Sequence, residues 1–159
     1  MKRLEVLTIP AMLQASFKDF ADYQSLVFVG EGNLTYGQLE LEVKKVALQL
    51  QAIKIKKGDK VAILSLNMPQ WGIAFFATTI IGAVVVPILP DFHPTEIKNI
   101  LEHAEVSAIF VSETLRQKLD QDIQIPTIHI ENFELANSLA KQHIAVADFE
   151  YEDIKENDI

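Results

Sequence analysis

The chain contains no cysteine. This excludes a disulfide framework, a thiolate nucleophile and a thiolate metal site, and it fits a reducing cytosol. Glycine is scarce, six in 159 residues. None of the six stands in a run followed by lysine and serine or threonine, and there is no Gly-x-Ser-x-Gly elbow, so neither a phosphate loop nor an activated serine is evident. The four histidines, His93, His103, His129 and His143, contain no pair at the i, i+4 spacing that brings two imidazoles onto one metal; surface or capping roles are expected. Positive charge is the minority sign, 14 Lys and Arg against 22 Asp and Glu, for a net charge of -8. A nucleic-acid backbone or an anionic membrane would be repelled at long range, which leaves proteins and small molecules as partners. The N-terminus MKRLEVLTIPAML lacks the continuous apolar core of a signal peptide, because Glu5 and Pro10 interrupt it.

What the chain has is apolar residues, 49% of the total. That excess implies either a well-filled core or apolar surface awaiting a partner, and the second is favoured. Residues 61–90 carry no charge at all, a length that could span a bilayer. Asn67, Pro69 and Gln70 break the run, and Val84-Val85-Val86-Pro87 has the β-branched character of a strand. A buried strand, helix and strand account for it better than a membrane span.

In chain order, Thr8 is expected to cap a helix whose Ile9, Met12, Leu13, Phe17 and Phe20 recur at helical spacing up to Tyr23. Leu26 to Val29 and Leu34 to Thr35 flank Gly30-Glu31-Gly32-Asn33, the composition of a hairpin turn. A dinucleotide fingerprint would need a third glycine where Thr35 stands. Thr35-Tyr36-Gly37-Gln38 has the form of a capping box. It opens a helix with Leu39, Val43, Val46, Ala47, Leu50 and Ile53 on one face, and Glu40 with Lys44 and Glu42 with Lys45 on the wet side. Gly58-Asp59 leads into a strand over Lys60 to Leu66, apolar at nearly every position as in a parallel sheet covered on both faces. Asn67 is expected to cap the next helix, with Pro69 in its first turn and Trp71, Phe75 and Phe76 packing on the sheet. The competing reading places Ser65, Leu66 and Asn67 at the carboxyl end of the strand as ligand contacts. Gly82 ends that helix and Ala83 to Pro87 forms a strand. A helix from Pro94 carries Ile97, Ile100, Leu101 and Ala104 on one face, and Ser107 to Val111 is again a strand. Ser112 is expected to cap a short helix through Leu119, Ile125 to Ile130 to form a last strand, and Asn132 to cap a helix through Lys141. From Asp148 onward acids dominate over the single Lys155, the composition of a linker or exposed edge. The residues alone therefore point to an α/β domain, mostly parallel sheet with helices on both faces, and to no chemistry.

Several stretches carry a resemblance: LTYGQL at Leu34 to Leu39, KKGDKVAIL at Lys56 to Leu64, NMPQW at Asn67 to Trp71, IIGAVVVPILP at Ile80 to Pro90, and EIKNILEHAEVSAIFVS at Glu96 to Ser112. In this order and spacing the chain resembles the N-terminal region of adenylate-forming acyl- and aryl-CoA synthetases, the long-chain fatty-acid CoA ligases most of all. Gln70, where an acid is common, and His93, where a small hydroxyl residue is commoner, depart from the family pattern.

The resemblance implies the N-terminal α/β subdomain of an AMP-binding ligase over residues 1–147 and an acidic linker over 148–159. It implies a parent enzyme that uses ATP, magnesium and coenzyme A to form an acyl-adenylate and then a thioester. The family's glycine-rich signature loop normally begins just after a stretch like Asp148 to Ile159. No catalytic, cofactor-binding or metal residue is therefore assigned in this chain. The expected partner is the C-terminal remainder of the same parent, with dimer contacts in some members, no nucleic acid, no transmembrane segment, and a cytoplasmic location that leaves room for peripheral membrane association. Two alternatives stand beside this: a freestanding module holding a nucleotide or acyl ligand near Ser65, Asn67 and Asp91, and a regulatory partner that dimerises with a full-length ligase.

Overall fold

The structure is a computed structural model that describes residues 6–27, 32–136, 146 and 149–158. Its elements in order are α1 (Ile9–Asp19), β1 (Gln24–Leu26), β2 (Leu34–Thr35), α2 (Tyr36–Ala52), β3 (Lys60–Leu64), α3 (Pro69–Ile80), β4 (Val84–Ile88), α4 (Pro94–His103), β5 (Val106–Val111) and β6 (Thr127–His129), with one 3-10 turn at Arg116–Lys118. β1 and β2 pair antiparallel, whereas the main sheet has the order β4-β3-β5-β6 and is parallel throughout.

β3 is the centre of this arrangement. Val61, Ala62, Ile63 and Leu64 are all fully buried, and alternation along a strand sends them to opposite faces. Val61 and Ile63 enter a cluster with Phe17 of α1, Val43, Val46 and Leu50 of α2 and Ile73, Ala77 and Ile80 of α3. Ala62 and Leu64 enter a second cluster with Ile97 of α4, Ile109, Val111 and Leu115. The connection through α3 steps outward from β3 to β4, and the connection through α4 steps back past β3 to β5. Two crossovers of one hand running in opposite directions must lie on opposite faces, so the strand between them has no wet side.

Local signals hold where they are strongest. At α1, Thr8 Oγ1 accepts from the Ala11 amide at 3.3 Å. At α2 both arms of the capping box form: Gln38 N donates to Thr35 Oγ1 at 3.2 Å and Thr35 N to Gln38 Oε1 at 2.9 Å. Lys44 meets Glu40 at 2.7 Å and Lys45 meets Glu42 at 2.6 Å on its outer side.

Four expectations are corrected. α1 stops at Asp19, short of Tyr23, because the carbonyls of Ala21 and Tyr23 receive the Gly37 and Tyr36 amides that open α2. A side chain at Gly37 would press to within 3.3 Å of the Ala21 oxygen. Asn67 does not cap α3: Met68 is the cap residue, without a side-chain bond, and Pro69 opens the helix with its ring geometry already set for the first turn. The helix expected after Ser112 shrinks to one 3-10 turn, since the Ser112 carbonyl takes both the Leu115 and Arg116 amides. Asn132 begins no helix over 132–136. Its Oδ1 accepts the Glu134 amide at 2.9 Å, Phe133 has φ 58°, and the chain reverses so that Ile128 bridges Leu135 antiparallel. Residues 137–141 of that expected helix, and Gly30 and Glu31 of the hairpin turn, lie outside the described residues.

Phe110 of β5 is fully buried with its ring edge-on to Phe133 at 6.0 Å. Replacing it by alanine is expected to cost about 3–5 kcal/mol in urea unfolding, the range for a large aromatic removed from a closed core. Thr35→Ala, which only opens the exposed capping box, is expected to cost about 1 kcal/mol in the same measurement.

Candidate functional site

In open parallel sheets, ligands bind at the carboxyl ends of strands where the order reverses. Here that place lies between β3 and β5, next to the loop that follows β4. Ser65 is almost fully buried and its hydroxyl donates to the Leu66 carbonyl at 2.9 Å. Just after β5 the Ser112 hydroxyl lies 3.3 Å from that of Thr114, and the Ser112 amide reaches across to the Leu64 carbonyl at 3.1 Å. Lys118 turns its ammonium inward onto the carbonyls of Pro90 and Phe92, at 2.5 and 3.1 Å. Asn67 and Asp91 are exposed on the same edge. Topology thus brings Ser65, Asn67 and Asp91 to one rim, where the Ser65 hydroxyl turns to the Leu66 carbonyl and no hydrogen bond joins the three.

A triphosphate with its metal requires several unengaged donors and a cation. On this edge the buried hydroxyls are engaged by neighbouring oxygens and the lysine by two carbonyls. Among the described residues no group of three acids and histidines could hold a metal ion. His93 takes a capping role and His103 a surface one, as expected. His93 caps α4, with Nδ1 3.4 Å from the Thr95 amide and its own amide donating to Glu96 at 2.7 Å. His129 bridges Glu113 at 3.3 Å and Arg116 at 3.3 Å. His143 lies outside the described residues. A depression of about 740 Å³ lies elsewhere, between α4 and the segment 117–125.

A feature that composition did not reveal is the course of residues 149–158. They form no helix or strand, yet Phe149 is buried and stacks edge-on to Tyr151 at 5.1 Å. Lys44 lies 5.2 Å over the Tyr151 ring. Burial pushes the Tyr151 phenol above its ordinary pKa, with the Glu40 carboxylate adding to the rise against the opposing Lys44 charge. Further on, Lys57 Nζ binds the Asp153 carbonyl at 3.0 Å and the Asp158 carboxylate at 2.8 Å, and Glu156 accepts the Leu7 amide at 2.8 Å. The signal available in the sequence was the pair of aromatics, Phe149 and Tyr151, among the acids.

Residues 13–159 match the AMP-binding enzyme family. The chain belongs to that family. Among curated AMP-binding relatives, a long-chain-fatty-acid CoA ligase of Escherichia coli O6:H1 is 27% identical over 91% of this chain and 26% of its own length. An acyl-CoA ligase, sidI, of Aspergillus fumigatus is 31% identical over 72% of this chain and 20% of its own. The chain spans about a fifth to a quarter of such relatives. Among solved structures, a fatty acyl-adenylate ligase from L. pneumophila superposes with TM-score 0.78 at 23% identity, covering 98% of this chain and 27% of that one. The N-terminal subdomain of Klebsiella oxytoca NpsA gives 0.77 at 20% identity, covering 98% of this chain and 37% of that one. The α/β fold is therefore the one found in adenylation enzymes. None of the helices among the described residues is long and apolar enough to cross a membrane.

The Lys57 hydrogen bond holds the Asp158 carboxyl below the usual aspartate range. A depressed folded value stabilises the docked tail above the ordinary pKa of about 3.9, and that contribution disappears as pH falls through the lower folded value. The amide shifts of Lys155 and Asp158, followed by NMR down an acid titration, should report tail release centred below the ordinary aspartate value. Asp158→Asn should flatten that curve, and high salt should weaken the contact at neutral pH because both groups are near the surface.

Proposed function

We propose that this chain is the N-terminal part of a long-chain fatty-acid CoA ligase, and that its own role is scaffolding. The observation that carries the reading is the match over 91% of the chain to a long-chain-fatty-acid CoA ligase, together with the family match over residues 13–159. The parent would activate a carboxylate with ATP and magnesium and pass the acyl group to coenzyme A, in the cytoplasm. That chemistry would reside in the remainder of the parent chain, which is the expected partner of this segment, with a homodimer as a further assembly.

The contribution of these residues is mechanical. A sheet clamped on both faces gives the catalytic half a surface that does not yield, and residues 149–158, read as part of the link to that half, are held against the body by Lys57 and the Leu7 amide. No residue of this chain is assigned to catalysis. The alternative of a freestanding nucleotide or acyl module receives no support from the rim, where Ser65, Asn67 and Asp91 do not form a common site.

The test is ATP-pyrophosphate exchange with a panel of saturated fatty acids. The parent chain extended beyond Ile159 is expected to exchange with the longer acids, and the 159-residue chain is expected to show none. Exchange by the short chain, or saturable ATP binding to it, would overturn the scaffold reading. An extended chain silent with every fatty acid would remove the ligase reading.

A further inference from the structure

We propose that the cleft between α4 and the segment 117–125 is a binding site for a small organic cation, an amine or quaternary ammonium carried on an apolar body. This goes beyond the ligase reading and does not rest on it.

The cleft exists because of the way the chain leaves β5. One 3-10 turn at Arg116–Lys118 stands where a longer helix was expected, and residues 119–126 run on as irregular backbone. Such a wall covers the second core cluster less completely than a helix laid along it. Leu101, Leu119, Ile123 and Ile125 pack on that cluster yet stay only half-buried. With Ile97 buried beneath them they floor a cleft of about 740 Å³, within the range of small-ligand pockets, about 300–1,000 Å³. Apolar surface left open in a concave site is released from water when an apolar body fills it.

The rim sets the sign of the ligand. Both of its lysines are engaged: Lys98 pairs with Asp120 at 3.1 Å, and Lys118 is turned onto the carbonyls of Pro90 and Phe92. Glu102, Glu105 and Asp122 also line the cleft; they are exposed and enter no ion pair among the described residues. Glu102 stands one turn beyond Lys98 on the same side of α4. The Asp120 hydrogen bond, with the Glu102 and Asp122 charges adding to it, holds the Lys98 ammonium above its ordinary pKa, so these carboxylates already act across the cleft mouth. Glu102 and Glu105 lie at the carboxyl end of α4, where the helix dipole is itself negative and favours a cation. Glu105 is moreover held at φ 51°, in the left-handed region that glycine ordinarily occupies after a helix. A carboxylate kept there against both backbone strain and the dipole is offset by a bound positive charge.

The Lys98–Asp120 pair decides between a compact occupant and a helix of a partner protein. It ties the two walls of the cleft together, so a helix cannot lie along the floor from end to end in the manner of groove-bound peptides. A fatty acid is disfavoured by sign, because its carboxylate would meet three acids.

The experiment is an NMR titration of the chain with octylammonium chloride, octanol and octanoate, each below its micelle or solubility limit, read at the methyl groups of Leu101, Ile123 and Ile125. Octylammonium is expected to shift these methyls along one saturable curve, with octanol weaker and octanoate weaker still. Glu102→Gln and Glu105→Gln should each weaken octylammonium about two- to fivefold, the range for exposed charge pairs, and added salt should act in the same direction. Glu105→Gly, which relaxes the strained backbone and so keeps the fold, should behave like Glu105→Gln. Glu42→Gln removes the same charge from α2, on the other face of the sheet, and should leave the affinity unchanged. Octanoate binding as tightly as octylammonium, affinity indifferent to both rim substitutions, or saturation at methyls outside the cleft overturns the proposal. An amphipathic lysine- and leucine-rich peptide that saturates the three methyls while octylammonium leaves them unmoved makes the occupant a protein segment and overturns it as well.

Discussion

The burial of β3 on both faces is the constraint from which the rest of the structure follows. Four consecutive side chains with no solvent exposure leave the strand no orientation in which one face could be wet, so it must lie inside a sheet that is itself covered twice. That requirement forces α3 and α4 to opposite sides. It also accounts for much of the apolar character of 61–90, which supplies two strands and the helix between them to the inside of the fold, although Leu66, Val84 and Leu89 remain exposed.

Paired signals were legible, and single ones fared unevenly: Thr8 alone caps α1 as read. Thr35 with Gln38 is a reciprocal device, and the capping box forms as read. The Glu40 and Glu42 pairs with Lys44 and Lys45 also form as read. Asn67 and Asn132 are single signals, and each was displaced: Met68 takes the cap position ahead of Pro69, and the return of Leu135 against Ile128 recruited Asn132 into a turn. Strand positions were read to within one or two residues for β3, β4 and β5 because β-branched runs mark them, while β6 is shorter than the apolar stretch around it. Tertiary contacts set those ends.

The candidate site was legible in a weaker sense. The sequence placed Ser65, Asn67 and Asp91 at strand ends, and topology does bring them to one edge. Whether they form a site is a question of side-chain direction, which spacing does not encode. The hydroxyls turn to adjacent oxygens and Lys118 turns to backbone carbonyls, so the edge is satisfied internally. The tail shows the converse. Its acids read as solvated, yet the body meets them with Lys57 and the Leu7 amide, 101 and 149 residues away in sequence. Contacts across such separations are invisible to local pattern.

The fold-back after β6 has a bearing on how the chain is made. A protein emerging from the ribosome exposes its N-terminal portion first, and a parallel sheet without its neighbours is prone to stick to other nascent chains. Here the reversal at Phe133 lies immediately after the last strand, so the growing polypeptide seals one border of its sheet within a few residues of completing it. A ribosome-bound intermediate of this length presents a single adhesive border instead of two, and a particle with one such border can pair but cannot polymerise.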